Sequence, residues 1–226
     1  DLWKNDDEEG GKNLYEEDML RSMMNRFNIK QGLYFDKITD IKNCKSITDN
    51  IKNIVQNKFV SIVVNFVDSL SHAGTEQRMV RELTNTTEAY LSITKSWFEL
   101  SPLFDMLKAF AEHGAYLVIG TDHGSIQIAN PIKVIGDRTT TTNLRYKQGR
   151  NLAYNPKEVY EITNPADAYL PKTNISSTYI FSCNDDFFAY PNNYNHYVKY
   201  YKNTFQHGGI SLQEMIIPAI SMKPKI

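Results

Sequence analysis

The chain has 226 residues, 41% of them hydrophobic and 23% charged, with a formal net charge of -1. That length suits one α/β domain, or a domain with a small subdomain, and a core of that size needs no covalent staples. The near-zero charge gives no global basic field to hold a nucleic-acid duplex, so a phosphate-bearing substrate has to be held by a local site.

The acidic opening ends at Gly10-Gly11, a loop signal. Helical spacing follows, with Leu14, Met19, Leu20, Met23 and Phe27 on one face and Asn13 as the cap. Gly32 to Phe35 predicts a short strand, and Ile47 to Val55 a helix leading into the run Phe59 to Val67. That run is β-branched and nearly continuously apolar, the pattern of a parallel strand covered on both faces. Glu76 to Glu112 reads as mostly helical, with Leu103, Met106, Leu107 and Phe110 on one stripe, and Tyr116 to Gly120 as a second buried strand.

Strand, long helical stretch, strand is a βαβ rhythm, so the expected fold is α/β with a mainly parallel central sheet flanked by helices. Gly136 to Gly149 breaks the rhythm with Asp137, Arg138, four consecutive threonines, Arg145 and Lys147, and residues 136–160 read as a small inserted subdomain. Asn164-Pro165 fits a cap and first-turn proline. Thr178 to Phe181 and Met215 to Ile220 read as late strands.

The apolar runs fall well short of the roughly 20 residues a membrane-spanning helix needs. The opening Asp1-Leu2-Trp3-Lys4 has no signal-peptide character and reads as a fragment boundary. Cys44 and Cys183 stand far apart without CxxC spacing, which argues against a disulfide framework or a thiolate metal site and fits a reducing, cytoplasmic setting.

Both strongest strands are followed by an ionisable pair. Asp68-Ser69-Leu70-Ser71-His72 follows the first, and Thr121-Asp122-His123-Gly124 the second. In open parallel sheets, ligand sites form beyond the carboxyl ends of the strands, and carboxylate with imidazole is a donor set that zinc accepts. His207, flanked by Gly208-Gly209, is a third candidate, because small residues let backbone pass close to a site. Taken singly, Asp-x-x-x-His is common without a metal, and Asp-His-Gly is more often a turn in which Gly124 supplies a positive φ. Arg138, Arg145, Lys147 and Arg150 could clamp a second phosphate or simply line a solvated hairpin. Phe187, Phe188, Tyr190, Tyr194, Tyr197, Tyr200 and Tyr201 could stack bases, although most should be core.

Asp68 with His72, Thr121 to Gly124, and then His207 resemble the ordered metal ligands of the alkaline phosphatase superfamily. His207 to Pro218 is similar to the closing segment of its PglZ branch, and the Tyr/Asn block before it resembles the effector domain of PorX-type response regulators, which control type IX secretion. The resemblance implies a zinc phosphodiesterase acting on oligonucleotide or cyclic-nucleotide phosphodiesters. Asp68, His72 and His207 would hold one zinc, and Asp122 and His123 part of a second. An upstream aspartate and a threonine nucleophile, placed before residue 1, would complete that second site, so that this piece alone would be inactive. From their clustering after Gly124, Arg138, Arg145 and Lys147 are the cations expected to contact substrate. A receiver domain, a cognate histidine kinase and a homodimer are the implied partners. Two other readings stand beside this one: a non-catalytic regulatory or dimerisation module with a structural zinc, and a phosphomonoesterase or phosphomutase of the same superfamily.

Overall fold

The computed structural model describes residues 15–38, 40–172 and 176–225. The loop expected at Gly10-Gly11, the cap at Asn13 and the helical position of Leu14 lie outside them. In chain order the elements are α1 (Glu16–Arg26), β1 (Leu33–Ile38), α2 (Ile41–Asp49), α3 (Ile51–Ile54), β2 (Phe59–Val64), α4 (Phe66–Glu76), α5 (Arg78–Leu83), α6 (Thr87–Leu100) and α7 (Pro102–Glu112). There follow β3 (Leu117–Gly120), β4 (Ile126–Gln127), β5 (Asn130–Lys133), β6 (Tyr146–Gly149), β7 (Val159–Ile162), a 3-10 turn at Pro165–Ala168, β8 (Thr178–Ser182), β9 (Asp186–Ala189), α8 (Tyr194–Tyr201), β10 (Phe205–Gln206), α9 (Leu212–Met215) and β11 (Ala219–Met222). No helix among the described residues is long and apolar enough to cross a membrane.

Two compact units result. Among the described residues, the first takes those up to Phe66, Trp97–Leu117 and 221–225; the second takes Val67–Ser96 and those between Val118 and Ile220. In the first, β1 and β2 run parallel in register from Leu33 opposite Phe59 to Ile38 opposite Val64. A parallel pair needs a crossover, which α2 and α3 supply. The Asp40 side chain caps α2 by accepting from Asn43 N, and Ser101 caps α7 with Pro102 in its first turn. Ile38, Cys44, Ile47, Ile51, Ile54, Met106 and Phe110 form the core, in which Cys44 Sγ lies 4.0 Å from Met106 Sδ. Burial raises the pKa of the Cys44 thiol, so it serves as packing.

In the second unit β5 and β9 pair in parallel, with Pro131 opposite Phe187 and Ile132 opposite Phe188. Alternation along β9 sends Phe187 and Ala189 into one cluster with Ile126 and Ile128, and Phe188 into another with Ile132, Val134 and Ile180. The pair is therefore covered on both faces. The order β6-β8-β7 forms an antiparallel sheet, and β4 pairs antiparallel with β10.

These small sheets of mixed sense stand, among the described residues, in place of the mainly parallel central sheet expected from the βαβ rhythm. Between residues 120 and 189 the chain runs in short strands, of which β6, β8 and β7 pair antiparallel while β5 pairs in parallel with β9. Part of the expected insertion is woven into this fabric, because β6 and β7 both pair with β8. The strand expected over Phe59 to Val67 ends at Val64, and Phe66 already opens α4. An apolar run cannot by itself separate strand from helix, and Phe66, Leu70 and Ala73 share a helical spacing. At the other end Met215 closes α9, and the late strand begins at Ala219.

Truncating Met106 to Ala should cost about 2–5 kcal/mol, because its buried side chain sits at the centre of the first core. Denaturant unfolding of Met106→Ala against the parent chain checks this.

Candidate metal centre

Asp68 stands in the first turn of α4, where the helix dipole favours a carboxylate, and His72 follows one turn later on the same face. The helix is held from behind by Tyr90 of α6. Its hydroxyl lies 2.7 Å from Ser71 Oγ and donates to Val67 O at 3.1 Å, while its ring stacks on Phe205 at 4.2 Å. Burial raises the pKa of the Tyr90 hydroxyl, which keeps it a neutral donor.

The second contribution comes from the pairing of β4 with β10, in which Ile126 faces Gln206. Two residues of ladder suffice to bring the loop before β4 and the loop after β10 together. The His123 and His207 rings stack, with centroids 3.9 Å apart and planes 12° apart. Gln206 Nε2 also donates to Thr75 Oγ1 of α4 at 2.8 Å, tying β10 to the helix that carries Asp68.

Four of the five residues read from the sequence as metal ligands thus meet. Asp68 Oδ1 lies 3.4 Å from His72 Nε2 and 3.4 Å from His207 Nε2. The His207 ring, and after it His72, holds the Asp68 carboxyl well below its usual pKa. Both contacts are long, and Asp68 Oδ1 is buried without a hydrogen-bond partner. A buried anionic oxygen facing imidazole nitrogens, with no donor of its own, has the environment of a cation ligand.

One donor atom from each of Asp68, His123 and His207 lies within 4.8 Å of the others. His123 Nδ1 is 2.9 Å from Gly124 O, and since a carbonyl only accepts, Nδ1 donates and the neutral ring carries its lone pair on Nε2. One carboxylate and two imidazoles suit a borderline divalent ion, so these residues fit a metal.

Asp122 is placed differently. Its side chain is 75% exposed, and its Oδ1 accepts from His123 N at 3.0 Å and lies 3.8 Å from His123 Nε2. Gly124 is not the positive-φ turn glycine that its motif suggested. What it supplies is room, since a Cβ there would lie 2.0 Å from Gln213 O. Gly208 takes the left-handed conformation instead, at φ 105°.

The basic segment divides. Arg138 is exposed. Arg145 is fully buried and donates to Glu214 and to the carbonyls of Asn184 and Asp186. Lys147 is buried as well; its ammonium donates to Thr141 O at 2.9 Å and lies 4.6 Å from the centre of the Tyr190 ring. Neither side chain is part of a solvated hairpin. Tyr90, Gln206 and Glu214 carry the site's support and were not singled out from the sequence. Only Ser211 with Glu214 had a local signal, the spacing of a capping box.

Burial lowers the Lys147 ammonium to about 7. In the unfolded chain it titrates near about 10.4, so between these values the unfolded state binds more protons and stability rises with pH. The destabilising contribution is thus complete below about pH 7 and fades towards pH 10. Thr141 O also accepts from Tyr190 Oη at 3.3 Å, so it keeps a donor if the lysine is lost. Lys147→Met should therefore stabilise the chain by roughly 1–3 kcal/mol at pH 6, with the gain shrinking towards pH 10. Thermal melts across that range measure the difference.

Comparison with curated proteins gave no match. A family model, described as the BREX system PglZ alkaline phosphatase-like domain, matches residues 1–222. With the ligand-type residues gathered on α4 and on the loops flanking β4 and β10, and with nearly the whole sequence matched, this chain belongs to the PglZ family of alkaline phosphatase-like domains.

Proposed function

We propose that the chain forms the metal-binding part of a phosphoesterase domain that hydrolyses nucleotide phosphodiesters with zinc. The observation that supports this most is the buried Asp68 Oδ1, which has no hydrogen-bond partner and faces the Nε2 atoms of His72 and His207. Asp68, His72 and His207 would hold one ion, and Asp122 and His123 part of a second. When bound, such ions polarise phosphoryl oxygens and make a hydroxyl nucleophilic at neutral pH.

The residues of the chain prepare that chemistry. The bond from His123 Nδ1 to Gly124 O fixes its tautomer and leaves Nε2 available. Tyr90 holds the backbone of α4 next to Asp68. Of the three cations expected to contact substrate, Arg138 is the exposed one and is retained as a phosphate contact. The narrower reading, an output domain of a response regulator of type IX secretion working as a cytoplasmic homodimer with a receiver domain and a cognate histidine kinase, rests on the resemblance of His207 to Pro218 and of the Tyr/Asn block.

The test is metal affinity together with turnover. Asp68→Asn and His207→Ala should each weaken zinc binding by at least about 100-fold, since loss of a supporting partner alone costs about 10–100-fold. The full-length protein should cleave bis(p-nitrophenyl) phosphate faster than p-nitrophenyl phosphate, and both substitutions should abolish the cleavage. Undiminished zinc affinity in both variants would sink the metal assignment. Faster cleavage of the monoester would favour the monoesterase reading, and bound zinc without turnover of either substrate a regulatory module.

A further inference from the structure

We propose that the buried Arg145–Glu214 pair is a positioning device that fixes the two loops bearing His123 and His207 at once. This inference rests on the metal-site reading above and names residues that reading does not use.

The pair is closed to solvent, with side chains 0% and 2% exposed. Glu214 Oε1 accepts from Arg145 Nε at 2.9 Å and from Gly209 N at 2.8 Å. Oε2 accepts from Arg145 Nη2 at 2.6 Å, from Ser211 N at 3.1 Å and from Ser211 Oγ at 2.6 Å. Every donor other than Arg145 belongs to the segment that follows His207. The backbone of the same residue reaches the other loop, since Glu214 O accepts from Gly124 N at 2.9 Å, next to His123. One residue therefore grips the His207 loop with its carboxylate and the His123 loop with its carbonyl.

Arg145 connects this grip to the sheet. Its guanidinium also donates to Asn184 O at 2.8 Å and to Asp186 O, and its own carbonyl accepts from Ser182 N and Ser182 Oγ of β8, each at 2.9 Å. The packing leaves no slack, since a Cβ on Gly209 would lie 2.7 Å from Arg145 Nη2. Burial raises the pKa of the Glu214 carboxyl, and the bonds from Arg145 and Ser211 more than offset this, leaving it below its usual value.

A buried ion pair adds little net stability over apolar residues of the same volume, because desolvation cancels most of the attraction. Its distinctive property is directional. Five donors and a planar fork admit one arrangement, which is what a site needs in order to hold ligands to a fraction of an ångström.

Stability is read from the melt and positioning from metal binding. The double substitution Arg145→Met/Glu214→Met removes both charges together, and Ser211→Ala removes one hydroxyl donor to Oε2 and leaves the pair in place. Melting temperature without metal, Co2+ affinity and the visible absorption bands of bound Co2+ are measured for each. The double variant, which takes their partners from Gly209 N, Ser211 N and Asn184 O, should melt below the parent and bind Co2+ about 10–100-fold more weakly with altered bands. Ser211→Ala, losing one hydrogen bond, should shift affinity and bands in the same direction by a smaller factor. Co2+ affinity and spectrum equal to the parent's in a folded variant of either kind would overturn the positioning role, and Ser211→Ala decides the matter if the double variant does not fold. A parent chain that binds no Co2+ would instead remove the metal-site reading itself.

Discussion

A carboxylate oxygen buried without a donor is expensive, and in this chain that oxygen is Asp68 Oδ1. Folding tolerates it because the surroundings are arranged around it rather than relaxed away from it. The His207 and His72 imidazoles flank it at equal distance, the helix dipole of α4 points at it, and the stacked His123 ring lies behind His207. A short carboxylate with a free lone pair, opposed by nitrogens that can also offer lone pairs, is stable only if a cation or protons fill the space between. The chemistry assigned to the domain starts from that constraint.

The support for the arrangement is laid out in shells. Tyr90 bonds to the backbone of α4 and stacks on Phe205, so one side chain positions both the helix with Asp68 and the strand that leads to His207. Gln206 joins the same two elements through Thr75. Glu214 and Arg145 extend the support to the sheet of β6, β7 and β8. A domain with so small a ladder at its site, two residues of β4 against two of β10, needs these side-chain ties because backbone pairing alone would leave the loops free to slip.

Arg145 and Lys147 illustrate how the same letters can be misread. In the sequence they continue a basic, threonine-rich stretch with the look of an exposed phosphate clamp. In the fold β6 runs through the interior, and the two cations find a carboxylate, carbonyls and an aromatic face there. Lys and Arg are almost never buried unless paired, so the hydrophilic reading follows the base rate, and only the distant partners Glu214 and Tyr190 reverse it.

The sequence by itself determined which carboxylate and imidazole side chains the chain offers and their order along it. Asp68 with His72 is a helical spacing, Asp122-His123-Gly124 and His207-Gly208-Gly209 are local motifs, and the two apolar runs before the first pairs mark β2 and β3. Such features depend on neighbours a few residues apart, where periodicity and glycine carry the information. Tertiary structure alone decided that His123 stacks on His207, that Asp122 faces solvent, that Arg145 is spent on Glu214, and that the strands gather into small mixed sheets. The ring stacking, the ion pair and the sheets each join residues far apart in the chain. No local pattern encodes such a pairing, because burial and partner are fixed only when the whole core closes around them.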